Sequence, residues 1–159
     1  MRNRKEFYLN HAQKLFEQTY GSLKDFHVLG LLPAYLERPG SSLVAMAAHF
    51  ISQSNSESSG FYLYNQKELV GKLKELSSGN RKVLLLGVTF ALLDLTESKM
   101  PFPSFSNLIV METGGMKGRR REMIREEVHQ QLKAYFQVDE IHSEYGMTEL
   151  LSQIYSKGN

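Results

Sequence analysis

The residues best suited to chemistry lie in one short stretch, HSEYGMTE at positions 142–149, between a strand-like run and an apolar run. Tyr145 offers a flat ring, Gly146 lets the chain bend beside it, Thr148 offers a hydroxyl and Glu149 a carboxylate. A stacking surface, a hydroxyl near phosphate and a carboxylate for a hard cation are what a magnesium nucleotide needs. Alternatively, Thr148 caps a helix and Glu149 is a favourable acid in its first turn. That alternative does not explain the Tyr-Gly pair in front of them.

A second candidate site is the glycine-rich turn ETGGMKG at positions 112–118. Gly114 and Gly115 permit positive φ angles and leave backbone amides unshielded, so that a flat or anionic ligand can approach the main chain. The amino terminus of the helix predicted to follow adds partial positive charge. The glycine spacing is not that of the dinucleotide-binding motif, and no Gly-Lys-Ser/Thr of a P-loop follows. A tight turn without a ligand therefore stays open as an alternative.

The densest basic run, KGRRREMIRE at positions 117–126, is compatible with nucleic acid or phosphate. Glutamates interleave with it, and Glu122 is spaced to pair with both Arg119 and Arg125 on a helix surface. The pattern therefore favours a solvated first helical turn. Arginines at a helix start oppose the helix dipole, so an anionic partner nearby would explain them. Binding of RNA or DNA by this run is kept as a weaker hypothesis.

The histidines and the remaining serines give weaker signals. No metal-ligand spacing of the H-x-x-H or H-x-x-x-H type links the histidines, which fall at positions 11, 27, 49, 129 and 142. His142 alone lies near a candidate site, where a supporting or surface role is favoured. Ser41 and Ser42 follow a glycine at a loop-to-helix turn, but no G-x-S-x-G elbow surrounds them, so N-capping explains them.

Composition bounds the classes of protein that remain. The chain has 159 residues, enough for one domain with a substantial core. An apolar fraction of 42% and a charged fraction of 23% are typical of a soluble globular protein. The net charge of +2 favours neither nucleic acid nor membrane, and the absence of cysteine excludes a disulfide, a thiolate metal site and a cysteine nucleophile. With no signal-peptide pattern and no long apolar run, we expect a cytoplasmic protein without a membrane span.

The spacing of apolar residues predicts alternating helices and strands. Helices are predicted at 5–19, 41–53, 65–76, 89–98, 119–136 and from 148 onward, and strands at 26–32, 61–64, 82–88, 107–112 and 138–144. Because the strands are continuous apolar runs separated by helices, we predict an α/β domain with an open, mostly parallel sheet of about five strands and helices on both faces. Such sheets bind ligands beyond the carboxyl ends of their strands. The turns at 113–118 and 143–148 both follow strands, so they would face one crevice if those strands lie near each other.

Four blocks of the sequence resemble one enzyme family. EYGMTE resembles the Y-G-x-T-E motif of the adenylate-forming superfamily of acyl- and aryl-CoA ligases and luciferases, and the Gly-Gly turn upstream is similar to its adenine-side loop. Four longer blocks resemble more closely the acyl-protein synthetase family, which is LuxE-like and also called long-chain-fatty-acid luciferin-component ligase. In chain order these blocks are LLPAYLERPGSSLV, GVTFALLDL, METGGMKGRRREM and HSEYGMTELLSQ. The likeness covers essentially the whole chain.

This resemblance implies a two-step reaction that uses ATP and Mg²⁺. A fatty acid carboxylate attacks the α-phosphate of ATP, which gives acyl-AMP and pyrophosphate, and a thiol of a protein cysteine or of CoA then takes the acyl group. By the family pattern Tyr145 lies against adenine, Thr148 lies near the α-phosphate and Glu149 binds Mg²⁺, so that Thr148 and Glu149 are the catalytic residues. The nucleotide-binding residues that the resemblance implies are Gly114, Gly115, Met116, Glu144, Tyr145, Gly146, Met147 and Thr148. The implied acyl pocket is bordered by Tyr35, Thr89 and Phe90.

Other parts of the superfamily pattern have no match in this sequence. A Ser/Thr/Gly-rich phosphate loop is expected upstream, and a ribose-binding Asp and an adenylating Lys, in a mobile C-terminal domain, are expected downstream. Residues 1–159 therefore resemble the central part of an adenylation domain, a single α/β domain without the phosphate loop and the C-terminal lid, and we expect no ligase activity from them alone. A non-catalytic α/β nucleotide-binding or interaction module is the alternative from another class. Missing upstream strands would leave a sheet edge exposed, which invites dimerisation, as a homodimer, or aggregation.

Overall fold

The computed structural model describes residues 2–33, 42–63, 65–114 and 123–144. In these ranges helices and strands alternate along the chain. The helices are α1 (Arg2–Tyr20), α2 (Ser42–Ser54), α3 (Gln66–Ser77), α4 (Thr89–Glu97) and α5 (Arg125–Phe136). The strands are β1 (Phe26–Leu31), β2 (Gly60–Tyr62), β3 (Lys82–Val88), β4 (Leu108–Thr113) and β5 (His142–Ser143), and a short 3-10 turn, Leu23–Asp25, precedes β1.

The strands of the described ranges form one sheet in the order β2-β1-β3-β4-β5, in which each neighbouring pair is parallel. β3, at the centre, is apolar and buried from Val83 to Val88, as expected for a strand that is covered on both faces. Most of β1 is buried in the same way. The predicted α/β fold, an open parallel sheet with helices on both faces, is thus confirmed.

The connections between strands place the helices in two layers. From β1 to β2 the chain moves toward one edge of the sheet, whereas the later connections move toward the other edge. Because crossovers between parallel strands are right-handed, α2 covers one face, and α3, α4 and α5 cover the other. α1 packs on α2, where the Phe16 and Phe50 ring centres are 5.2 Å apart. α4 contacts α5, where the Gln131 amide donates to the Thr96 hydroxyl at 2.8 Å.

Apolar side chains fill the space between the sheet and both helical layers. On the side of α1 and α2, Phe16 packs edge-on against Phe26, with ring centres 5.3 Å apart. On the side of α5, Phe102 packs edge-on against Phe136 at 5.0 Å. Aromatic pairs of this geometry stabilise a core beyond the area that they bury. None of the helices in the described ranges combines the length and the apolar character that crossing a bilayer requires.

Helix α5 begins later than the sequence predicts. Its first helical residue is Arg125, because Ile124 has an extended backbone. The Glu127 carboxylate accepts a hydrogen bond from the Ile124 amide at 3.2 Å, which satisfies this amide at the start of the helix. The predicted continuous helix over 119–136 is therefore wrong at residues 123 and 124, which are not helical. The ion pairs predicted for its first turn involve residues 119–122, which lie outside the described ranges.

Strand β5 is also shorter than predicted. Only His142 and Ser143 pair with β4, so the predicted strand over 138–144 is wrong for 138–141 and for Glu144, whose backbone is helical. The chain enters this segment through Gln137, which ends α5 in the left-handed region with φ of 57°. The final helix predicted from 148 onward lies outside the described residues.

Candidate functional site

The strand order places a topological switch point between the carboxyl ends of β1 and β3. After β1 the chain continues to α2 on one face of the sheet, and after β3 it continues to α4 on the other face. Neighbouring strands whose following turns diverge in this way leave a gap, and α/β proteins bind ligands at this switch point. The described residues that directly follow these two strands are Leu32 and Pro33 after β1, and Thr89 and Phe90 after β3.

The carboxyl ends of four neighbouring strands, β1, β3, β4 and β5, lie side by side. In the pairing register Leu31 lies opposite Gly87, Gly87 opposite Glu112, and Glu112 opposite Ser143. The turns after β1, β3, β4 and β5 therefore begin along one edge of the sheet, which we call the carboxyl edge. The sequence places the turns after β4 and β5 in one crevice only on the condition that their strands lie near each other, and this condition is met because β4 and β5 are parallel neighbours.

A hydrogen bond joins the ends of β4 and β5. Thr113, the last residue of β4, is buried, and its hydroxyl donates to the Glu144 carboxyl group at 2.5 Å. Gly114, directly after Thr113, has a φ of 85°, in the left-handed region that favours glycine. Glu144 directly precedes Tyr145 in the sequence. The two turns that the sequence singles out therefore start from two residues, Thr113 and Glu144, whose side chains are hydrogen-bonded to each other.

Glu144 is a carboxyl group in an unfavourable position for negative charge. Burial raises its pKa above the ordinary value of 4.5, and the Glu112 carboxylate raises this pKa further, while the hydrogen bond from Thr113 lowers it. Two carboxyl groups that lie near each other in a partly buried place hold a proton more readily than carboxyl groups in water. A positive charge brought to this part of the carboxyl edge would offset the repulsion between them.

Glu112 is held by partners on two other elements. The Thr89 hydroxyl donates to one of its carboxylate oxygens at 2.6 Å, and Nε2 of His129 lies 3.3 Å from the other oxygen. The Glu112 side chain is only 14% exposed, so these contacts replace much of its hydration. The Thr89 hydroxyl also lies 3.3 Å from the Thr113 carbonyl oxygen. Glu112 thus links the end of β3 and the end of β4 to α5.

His142 has a structural role in packing α1 against β5. Its Nδ1 lies 2.8 Å from the Tyr20 hydroxyl, and the two rings are arranged edge to face with centres 5.1 Å apart. Burial, followed by the Glu140 carboxylate, raises the pKa of Tyr20, which keeps its hydroxyl protonated. This contact agrees with the supporting role that the sequence favours for His142.

Four of the predicted site residues lie in the described ranges. Gly114 and Glu144 are at the joined ends of β4 and β5. Thr89 and Phe90 begin α4 at the end of β3, where they are 3% and 2% exposed. These four residues share the carboxyl edge. The predicted site residues that lie outside the described ranges are Tyr35, Gly115, Met116, Tyr145, Gly146, Met147, Thr148 and Glu149.

Three residues of this edge are not assigned a site role by sequence reasoning. Glu112 and Thr113 do carry a signal, because they are polar residues at the end of an otherwise apolar strand. His129 carries none, because only the packing of α5 beside β4 brings it to Glu112. Sequence motifs therefore locate the turns, whereas the residues that fix the strand ends require the tertiary structure.

The surface of α5 beside His129 forms an open depression of about 400 Å³. The described residues that line it are Arg125, Glu126, His129, Gln130 and Lys133. This mixture of basic and acidic side chains is typical of a solvated helix face.

Two further observations concern metal ligands within the described ranges and the similarity of the chain to known proteins. Within the described ranges, no three His, Asp or Glu side chains are grouped as metal ligands are. The predicted Mg²⁺ ligand, Glu149, lies outside those ranges. Comparisons of the chain with protein-family models, with curated proteins and with solved structures found no match. The class of the protein therefore rests on its topology, which is that of an open α/β domain with a switch point between β1 and β3.

Proposed function

We propose that this chain supplies the adenine-, magnesium- and acyl-binding part of an acid–thiol ligase. The complete enzyme activates a fatty acid or another carboxylic acid with ATP as acyl-AMP, and then transfers the acyl group to a thiol of a protein cysteine or of CoA. The resemblance of four sequence blocks supports this proposal. The single structural observation that supports it most is the hydrogen bond between Thr113 and Glu144, because it joins the residue before Gly114 to the residue before Tyr145.

In this proposal the nucleotide lies across the carboxyl ends of β4 and β5. Gly114 and Gly115 leave room for the adenine ring beside the backbone, Tyr145 stacks on the ring and Thr148 lies near the α-phosphate. The φ of 85° at Gly114 supports this role, since a side chain at that position would be strained. Stacking of a base on an aromatic side chain contributes about 1–3 kcal/mol, so Tyr145→Ala should weaken nucleotide binding by about 5- to 150-fold.

The magnesium ion of this proposal is held by Glu149. Bound Mg²⁺ would neutralise the charge that gathers on the phosphates during attack by the carboxylate. A cation near the described part of the carboxyl edge would offset the repulsion between the Glu112 and Glu144 carboxyl groups. Loss of one preorganised electrostatic contact of this kind typically costs about 3–4 kcal/mol of transition-state stabilisation.

The acyl chain of this proposal enters the crevice between β1 and β3. Leu32 after β1 and Phe90 after β3 are buried apolar side chains, which suits a hydrocarbon ligand. Tyr35 follows β1 in the sequence and would border the same crevice. The acyl group and the nucleotide would then meet along one edge, since β3 and β4 are neighbouring strands.

Calorimetric titration of this chain with ATP, with and without Mg²⁺, tests the proposal. We expect saturable binding that requires Mg²⁺ and is lost in Glu149→Ala. The matched control Glu126→Ala, which removes an exposed acid from the first turn of α5, should bind as the unchanged chain does. Absence of Mg²⁺-dependent binding would contradict the proposal and favour a non-catalytic module. Binding of RNA or DNA that falls steeply with salt, and disappears when Arg119, Arg120 and Arg121 are replaced, would favour the nucleic-acid hypothesis instead.

A further inference from the structure

The loop between α2 and β2 holds a serine in direct contact with a histidine. The Ser56 hydroxyl oxygen is 2.5 Å from Nδ1 of His27, which is the second residue of β1. Because His27 lies near the amino end of its strand, this pair is at the opposite edge of the sheet from the carboxyl-edge turns. The preceding Asn55, with φ of 53°, turns the chain directly after α2 so that Ser56 faces β1.

The hydrogen bonds of Ser56 leave its oxygen able to attack an electrophile. The oxygen accepts a hydrogen bond from the Ser58 amide at 3.1 Å, and its hydroxyl donates to His27 when Nδ1 of the ring carries no proton. A hydroxyl oxygen has two lone pairs, so one lone pair is left over from these described contacts. Both side chains are only partly buried, which allows a small molecule to reach them.

The surroundings of His27 favour the neutral ring that a general base requires. Burial, followed by the charges of Arg81 and Lys72, lowers the pKa of His27 below its ordinary value of 6.5. Arg81 is fixed beside the pair, because its guanidinium donates to the carbonyl oxygens of Phe26 and Ser54 at 2.7 and 2.5 Å. Positive charge in this position also stabilises an oxyanion that forms when the serine attacks a carbonyl group.

We propose that Ser56 and His27 form a serine–histidine dyad that reacts with carboxylic esters, separately from the carboxyl-edge site. The Ser56 oxygen attacks the carbonyl carbon while its proton moves to Nδ1 of His27. The tetrahedral intermediate then collapses, the bond to the alcohol oxygen breaks, and the alcohol leaves with that proton, so that the acyl group stays on Ser56 as an ester. A water molecule, deprotonated by the same nitrogen, then releases the carboxylic acid and restores the serine.

p-Nitrophenyl acetate is the probe for this dyad, with nitrophenolate release and mass spectrometry of the chain and its peptides as the readouts. We expect one acetyl group per chain, on Ser56, that is absent in Ser56→Ala. His27→Gln should slow acetylation by about 100-fold or more, which is the usual contribution of a general base. The matched controls are Ser106→Ala, which alters an exposed serine, and His11→Gln on α1. Both should react as the unchanged chain does.

The pH dependence of the unchanged chain tests the same proposal without any variant. The acetylation rate should rise with pH through the pKa of His27, which burial and the charges of Arg81 and Lys72 lower from its ordinary value of 6.5. Three results would each overturn the proposal: a midpoint above 6.5, acetylation of Ser56 at an unchanged rate in His27→Gln, or acetyl groups spread over lysines and other serines. The contact would then serve only to fasten the loop to β1. The assay contains no nucleotide, so its outcome is independent of the ligase proposal.

Discussion

Replacing Thr89 by valine removes one hydroxyl group from the carboxyl edge while it keeps the shape of the side chain. Thr89 is 3% exposed, and its hydroxyl donates at 2.6 Å to Glu112, whose side chain is 14% exposed. In the variant the carboxylate keeps its contact with His129 but regains little hydration in exchange for the lost bond. A hydrogen bond to a charged group contributes about 1.5–3 kcal/mol, so Thr89→Val should lower the free energy of unfolding by this amount. For a chain of this size, the expected fall in Tm is about 3–12 °C.

A double-mutant cycle measured by urea denaturation separates the charge of Glu112 from the packing of Thr89. In a Glu112→Gln background, Thr89→Val should cost only about 0.5–1.5 kcal/mol, because the hydrogen bond that it removes is then neutral. The control is Thr19→Val, which removes an exposed hydroxyl that donates to the Leu15 carbonyl, and it should change stability by less than about 0.5 kcal/mol. An equal cost of Thr89→Val in both backgrounds would refute the reasoning that Thr89 holds a carboxylate.

Three further predictions concern Glu144, the central strand and the activity of the chain. Because the pKa of Glu144 is raised in the folded chain, its protonated carboxyl group contributes to stability. This contribution is fully present below pH 4.5, the ordinary pKa that we take for the unfolded chain, and it is lost as the pH rises through the pKa of the folded chain. Glu144→Gln should remove this part of the pH dependence of the unfolding free energy, and an unchanged profile would count against the assigned environment. Gly87→Ala would place a Cβ atom 2.7 Å from the buried Leu92 side chain and should cost about 1–3 kcal/mol. Gly71→Ala, whose Cβ atom would meet nothing within 4 Å beyond its chain neighbours and the backbone of its own helix, should stabilise α3 by about 1 kcal/mol. Similar thermal shifts for the two alanine variants would contradict this packing. The 159-residue chain alone should show no fatty-acid-dependent ATP–pyrophosphate exchange, because the resemblance assigns the phosphate loop and the adenylating lysine to other segments, and measurable exchange would contradict this.

The parallel sheet could be predicted from the sequence because its inner strands are continuous apolar runs. β3, Lys82–Val88, has the predicted bounds, since an unbroken apolar run in a covered sheet has a distinct pattern. β5 could not be predicted in the same way. Its length is set by its register with β4, in which only His142 and Ser143 pair, and this contact joins segments that are far apart in sequence.

The candidate site could be predicted in part. The glycine turn and the Tyr-Gly turn both follow strands, so their position at the carboxyl edge follows from a parallel fold. The switch point between β1 and β3 could not be read from any local pattern, because it depends on strand order. The first residue of α5 could not be predicted from the spacing of apolar residues either. In the sequence Glu127 fits a continuous helix. In the structure its carboxylate accepts a hydrogen bond from the Ile124 amide, and the helix begins at Arg125.

Hydrogen–deuterium exchange with and without Mg²⁺ and ATP tests the central claim most directly, namely that the turns after β4 and β5 bind one nucleotide. The account predicts that saturating ATP with Mg²⁺ slows the exchange of backbone amides in both 113–118 and 143–149. The same addition should leave both segments unchanged in Glu149→Ala, and it should leave α1 unchanged in either protein. Slower exchange in only one of the two turns, or in neither, would contradict the account.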